Sequence, residues 1–132
     1  MKKELLLVVT AFFLMSVTAI TGVHAIEEKA KTVTISKHES DVTGDGIHES
    51  IQLKGVPYED EENYLKEIYI DISTTDDKQY KIPLESGSKA SLKLVDLNQD
   101  GVKDLFSNVL TGGSGGITLN YLYTFKDFIT KE

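Results

Sequence analysis

The 132-residue chain has no cysteine, no arginine and only two prolines. Without cysteine it can form no disulfide, carry no lipid on a thiol and offer no thiolate to zinc. Small exported domains often hold their fold together with disulfides or a metal, and here only the metal route is open. Basic charge is scarce too. Fourteen lysines face 21 Asp and Glu, a formal charge of −7 at neutral pH. That sign argues against nucleic acid and anionic lipid, which need a basic surface. It suits cations or a basic partner.

There is a single long apolar run. "MKK" is followed by "LLLVVTAFFLMSVTAI" and then by the small-x-small site "VHA", Val23 to Ala25. This is the order of parts in a secretory signal peptide, predicted over residues 1–25. The run is shorter than the ~20 residues a spanning helix needs, so a membrane is involved only if the segment stays uncleaved. Cleavage removes Lys2, Lys3 and Glu4 and takes the charge to −8. A secreted or cell-surface protein is expected. Residues 26–31 ("IEEKAK") are expected to be a disordered entry, and 32–132 a single domain.

From residue 32 the hydrophobic period is two. "TVTIS" alternates through Val33 and Ile35, "SIQLKGV" through Ile51 and Leu53, and "LKEIYIDIS" through Ile68, Ile70 and Ile72. "QYKIPLES" places Tyr80, Ile82 and Leu84 on one face, and Pro83 marks it as an edge or interrupted strand. "SLKLVDL", "DLFSNVL" and "ITLNYLYTF" complete the set, the last alternating from Ile117 to Phe125. Turn signals separate the runs: "DVTGDG", "TTDDKQ", "ESGSK", "DLNQDG" and "TGGSGG". "PYEDEENY" (Pro57 to Tyr64) is predicted as a longer acidic connection with one helical turn. The pattern predicts an all-β, antiparallel protein: a sheet or sandwich, or partial propeller-like blades, with almost no helix.

Two stretches share one skeleton: "DVTGDGIHE" (41–49) and "DLNQDGVKD" (96–104). Positions 1, 3 and 5 carry side-chain oxygen: Asp41, Thr43 and Asp45, then Asp96, Asn98 and Asp100. Position 6 is Gly46 or Gly101, where a sharp turn needs a residue free of Cβ clashes. Position 7, Ile47 or Val102, is expected to offer its carbonyl and send its side chain into the core. Position 9 is Glu49 or Asp104. Hard oxygen donors at alternate positions around one point suit Ca²⁺. An EF-hand is excluded, because position 12 is Gln52 or Ser107 rather than Glu and the flanks alternate as strands. The alternative for each loop is a polar turn held by local hydrogen bonds. The two loops begin 55 residues apart, a blade-like spacing, so an internal repeat is expected, its second copy cut short.

"DVTGDGIHES" and "DLNQDGVKDLF" resemble the calcium loops of FG-GAP and VCBS repeats, which occur in integrin-type β-propellers and many exported bacterial proteins. The region 41–125 is also similar to a group of small exported Firmicute proteins. The resemblance implies Ca²⁺ at Asp41, Thr43, Asp45, Ile47 (carbonyl) and Glu49, and at Asp96, Asn98, Asp100, Val102 (carbonyl) and Asp104. Thr43 stands where Asp or Asn is commoner and Glu49 where Asp is commoner, which implies a weaker first site. One chain holds at most two blades, whereas a closed propeller takes ~4–8, so closure within one chain is excluded.

Other signals are weaker. "GGSGG" (Gly112 to Gly116) matches G-x-S-x-G, but a strand follows it and every histidine lies upstream, so a nucleophile elbow is excluded. His38 and His48 are expected to be solvated, too few for a zinc site. "EDEE" (Glu59 to Glu62) is expected to be a solvated loop, with a cation or basic-partner contact as the alternative. No nucleophile, base and orienting group can be assembled, so no catalytic residue is expected. The expected function is a non-catalytic, calcium-binding exported module that binds an extracellular protein or glycan. The alternatives are a small extracellular enzyme, an enzyme inhibitor, or a fragment of a longer propeller-like protein.

Overall fold

A computed structural model describes residues 31–126. The predicted signal peptide and nearly all of segment 26–31 lie outside the described residues. Seven strands follow in chain order: β1 Val33–Ser40, β2 Glu49–Pro57, β3 Leu65–Ser73, β4 Gln79–Leu84, β5 Ser88–Val95, β6 Asp104–Leu110 and β7 Thr118–Tyr123. They form two antiparallel meanders, a four-stranded sheet in the order β1-β2-β3-β4 and a three-stranded sheet in the order β5-β6-β7. The fold is all-β, as the period of two predicts. The sheets neither close nor adopt a propeller arrangement. β1 and β5, the first strands of the two sheets, lie beside one another.

Register builds the core. Ile51 pairs with Ile72 and Leu53 with Ile70, and Ile70 and Ile72 pair onward with Ile82 and Tyr80. Apolar side chains therefore run in rows across β2, β3 and β4. They meet Leu92, Leu105 and Val109 of the second sheet in one buried cluster. Each fully buried Ile or Leu contributes roughly 1.5–3 kcal/mol. Phe125 closes the cluster, its ring edge-on to Tyr80 at 5.0 Å. The one buried hydroxyl among these strands, Ser107, donates to the Ser91 carbonyl at 2.7 Å, and among the described residues no buried side-chain polar atom lacks a partner. β4 is an edge strand, which is where Pro83 can sit without breaking a ladder.

Three local expectations fail. A register shift between Thr34 and Ser36 flips the side-chain alternation of β1, because one extra residue exchanges the faces. Ile35 is therefore exposed, while His38 is half-buried rather than solvated, its Nε2 3.3 Å from the Ser36 hydroxyl. Ile117 precedes β7 instead of opening it and is exposed. Residues 58–64 form turns with no helical turn.

The two acidic loops take matching places in the topology. The first acidic loop joins β1 to β2 and the second joins β5 to β6, so each lies between the first two strands of its own meander. The fold then sets the loops side by side: the Lys103 N–H donates to the Asp41 carbonyl at 3.3 Å.

Candidate metal centre

Both loops are organised by carboxylates at the same three motif positions. At position 1, Asp41 accepts from the N–H groups of Gly44 (2.6 Å) and Gly46 (2.8 Å). Asp96 likewise accepts from Asp100 (3.1 Å) and Gly101 (2.9 Å). At position 5, Asp45 accepts from Ile47 at 2.8 Å and Asp100 from Val102 at 2.9 Å. At position 9, buried Glu49 accepts from Val42 at 2.9 Å and buried Asp104 from Leu97 at 3.1 Å. The N–H groups of each turn thus point inward and hold the carboxylates in place. Gly46 and Gly101 have φ of +84° and +87°, the left-handed region that a side chain enters at a cost. This is the reason for glycine at position 6.

The loops differ in what the carboxylates do next. In the first, Asp41, Asp45 and Glu49 each bring an oxygen to within 4.8 Å of the others. The Thr43 hydroxyl sits between them, 3.4 Å from both Asp41 and Glu49. Among the described residues this is the one group of three His, Cys, Asp or Glu side chains gathered closely enough to share an ion. None of its carboxylates has an ion-pair partner among the described residues. In the second loop Asp96, Asp100 and Asp104 do not converge to this extent. Asp100 instead faces the Lys126 ammonium, its Oδ2 at 3.7 Å, and Asn98 donates to that same oxygen at 3.2 Å. The sequence comparison placed the weaker site in the first loop, but the geometry gathers its donors better.

Protonation follows the same hydrogen bonds. Burial pushes the Asp41 carboxyl up, but the N–H groups of Gly44, Gly46 and Thr43 outweigh it and hold the group below the ordinary carboxylate value. The Val102 N–H does most to lower Asp100, with Asn98 and the Lys126 charge adding to it against partial desolvation. Both are anions at neutral pH.

Position 7 is a correction. Val102 is buried at 8% exposure, as expected, but Ile47 is 48% exposed. Position 2 shows the reverse: Val42 is 0% exposed and Leu97 53%. Each loop therefore anchors one apolar side chain, at opposite ends of the motif. Val102 is covered by the first loop, where its Cγ2 packs against Gly44. Ile47 faces outward and lines an open cavity of about 500 Å³ with Thr43, Asp45, Thr74, Thr75, Asp76, Lys78, Tyr80 and Lys126. Sequence reasoning read "TTDDKQ" as a turn but placed neither it nor Lys126 beside the first loop. Nothing in the loop motif signals either, because both reach the site through the chain's tertiary path.

The donor set consists of carboxylates and a hydroxyl, which fits a hard divalent cation and not zinc or copper. No known protein family, curated protein or solved structure matches this chain.

Proposed function

We propose that this is an exported, non-catalytic β module whose first acidic loop binds Ca²⁺, and that it serves in binding at or outside the cell surface. The convergence of Asp41, Asp45 and Glu49 beside the Thr43 hydroxyl carries the metal reading. The predicted signal peptide and the acidic charge support the extracellular setting, where free calcium is high enough for sites with Kd of ~10⁻⁴–10⁻³ M. Asp41, Asp45 and Glu49 would hold the ion, with Thr43 and the Ile47 carbonyl as neutral donors. The ion would supply the positive charge that three close carboxylates lack. The second loop, with Lys126 already against Asp100, is the weaker site under this proposal. Its ammonium provides locally what a cation would provide.

Thermal melting of the purified protein with Ca²⁺, Mg²⁺ or chelator tests the proposal. Millimolar Ca²⁺ is expected to raise Tm by a few degrees, and Mg²⁺ by less, since Mg²⁺ gives up its water reluctantly. A Tm that Ca²⁺ leaves unmoved makes both loops turns and nothing more.

A further inference from the structure

A second cavity lies at the opposite end of β2 from the first acidic loop, in the connection between β2 and β3. It is about 400 Å³, open to solvent, and lined by Tyr58, Asp60, Glu61 and Tyr64. The carboxylates alone would make this a solvated loop. The aromatic pair is what distinguishes it. The two tyrosine rings lie 6.0 Å apart with their planes tilted by 38°, and both line the cavity.

The rings are held. The Tyr58 N–H donates to the Tyr64 carbonyl at 3.4 Å, closing the loop at its base. The Tyr64 hydroxyl accepts from the Gly112 N–H at 3.2 Å, which ties the loop to the glycine turn before β7. A Cβ at position 112 would meet that hydroxyl at 2.9 Å and the ring at 3.1 Å, so glycine is required for Tyr64 to lie there. Leu65 is fastened next door by a reciprocal pair of backbone bonds with Gly87, at 2.7 and 3.0 Å.

The electrostatics point one way. Asp60 and Glu61 belong to the run Glu59 to Glu62, all four exposed, and no cation lines the cavity. Among the described residues none of the four is in an ion pair. Aromatic faces attract cations through the ring quadrupole, and flanking carboxylates add to that attraction. An anionic ligand is repelled by the carboxylates, and a neutral one gains the ring contact without the charge attraction. We propose that the cavity binds an organic ammonium group, seated over the Tyr58 and Tyr64 rings and flanked by Asp60 and Glu61. Two sources present that group: the lysine side chain of a partner polypeptide and a small quaternary ammonium.

The test is an NMR titration of the purified protein, followed through the tyrosine ring signals at fixed Ca²⁺. The probes are pentalysine, choline and 3,3-dimethylbutan-1-ol, the neutral isostere of choline. At least one cationic probe is expected to shift the Tyr58 and Tyr64 rings saturably, with the alcohol binding at least about tenfold more weakly. Tyr58→Ala, at an exposed position that leaves the Tyr64 anchor intact, is expected to weaken the cation about fivefold or more. Asp60→Asn with Glu61→Gln weakens it as well and steepens no salt dependence. Binding of pentalysine alone identifies a lysine-bearing partner, and binding of choline alone a small quaternary ammonium. The proposal is overturned if neither cation binds or the alcohol binds equally. It is also overturned if Tyr58→Ala leaves the affinity unchanged, since the attraction would then be that of any acidic surface. The site shares no residue with the acidic loops, so its failure leaves the calcium proposal standing.

Discussion

The two acidic loops have one skeleton and two fates. Each turns its own N–H groups onto the position 1, 5 and 9 carboxylates. The first gathers three carboxylates around a hydroxyl, and none of them is ion-paired among the described residues, although Lys78 and Lys126 line the cavity beside them. The second presents Asp100 to Lys126. A motif that encodes a turn therefore does not by itself encode an ion site. The neighbours decide whether the carboxylates come together, as in the first loop, or one of them turns to an ammonium group, as in the second.

Position 9 offers the largest effects with which to break this comparison. Glu49→Ala and Asp104→Ala each leave a loop N–H without its buried acceptor, Val42 in one case and Leu97 in the other. Each is expected to lose about 1–3 kcal/mol in chemical denaturation without calcium. The pair separates when calcium is added: Glu49→Ala loses the Ca²⁺-induced rise in Tm, whereas Asp104→Ala retains most of it. Equal Ca²⁺ responses in the two variants would show that the loops are equivalent.

Position 5 comes next. At free Ca²⁺ of about ten times Kd, the linkage term is roughly 1.4 kcal/mol, a few degrees for a domain of this size. Asp45→Ala is expected to remove most of that shift and Asp100→Ala little of it. Lys126→Ala is expected to increase the shift by freeing Asp100 to take a second ion. Calcium titrations that rank the two aspartates the other way would restore the order that the sequence comparison implied.

Acid probes the same carboxylates. Asp41 and Asp100 have folded pKa values below their ordinary value of 3.8. A depressed carboxylate stabilises the fold above its unfolded pKa, and that contribution is lost as pH falls through the folded value. Tm is therefore expected to be flat from pH 7 to about 5 and to fall below about 4. Asp41→Asn, measured without calcium, should flatten part of that fall. An unchanged acid limb would remove Asp41 as one of its sources.

The smallest effect concerns position 4. Gly44 has φ of +86° and its counterpart Gln99 has φ of +58°. A non-glycine residue held there is disfavoured by roughly 1–2 kcal/mol, offset by the greater freedom that glycine gives the unfolded chain. Gln99→Gly is expected to stabilise by about 0.5 kcal/mol, read from the urea midpoint. A loss of stability would mean that the Gln99 side chain contributes more than its backbone costs.

Much of the architecture was legible because period two is a local signal. Ile68, Ile70 and Ile72 alternate in the sequence and are buried in the structure, since a strand must place every second side chain on one face. Pro83 announced an edge for an equally local reason. Ile35 and Ile117 misled, because a bulge and a strand boundary are set by pairing partners rather than by the run itself. Ile47 misled because motif alignment assumes equivalent surroundings. Val102 has the first loop over it, and Ile47 has no such cover.

By itself the sequence determined the all-β class, the alternating runs from which the strands are built and two turns able to present carboxylates, since alternation and glycine placement act within a few residues. It also determined, through the missing cysteines, that no disulfide supports the fold. Only the tertiary structure decided that the loops lie side by side, that the chain after β7 returns Phe125 to the core and Lys126 to Asp100, and that the three carboxylates of the first loop come together. The physical reason is distance along the chain. Lys126 is 26 residues from Asp100 and the two loops are 55 residues apart, so only packing of the two sheets around one core brings them together.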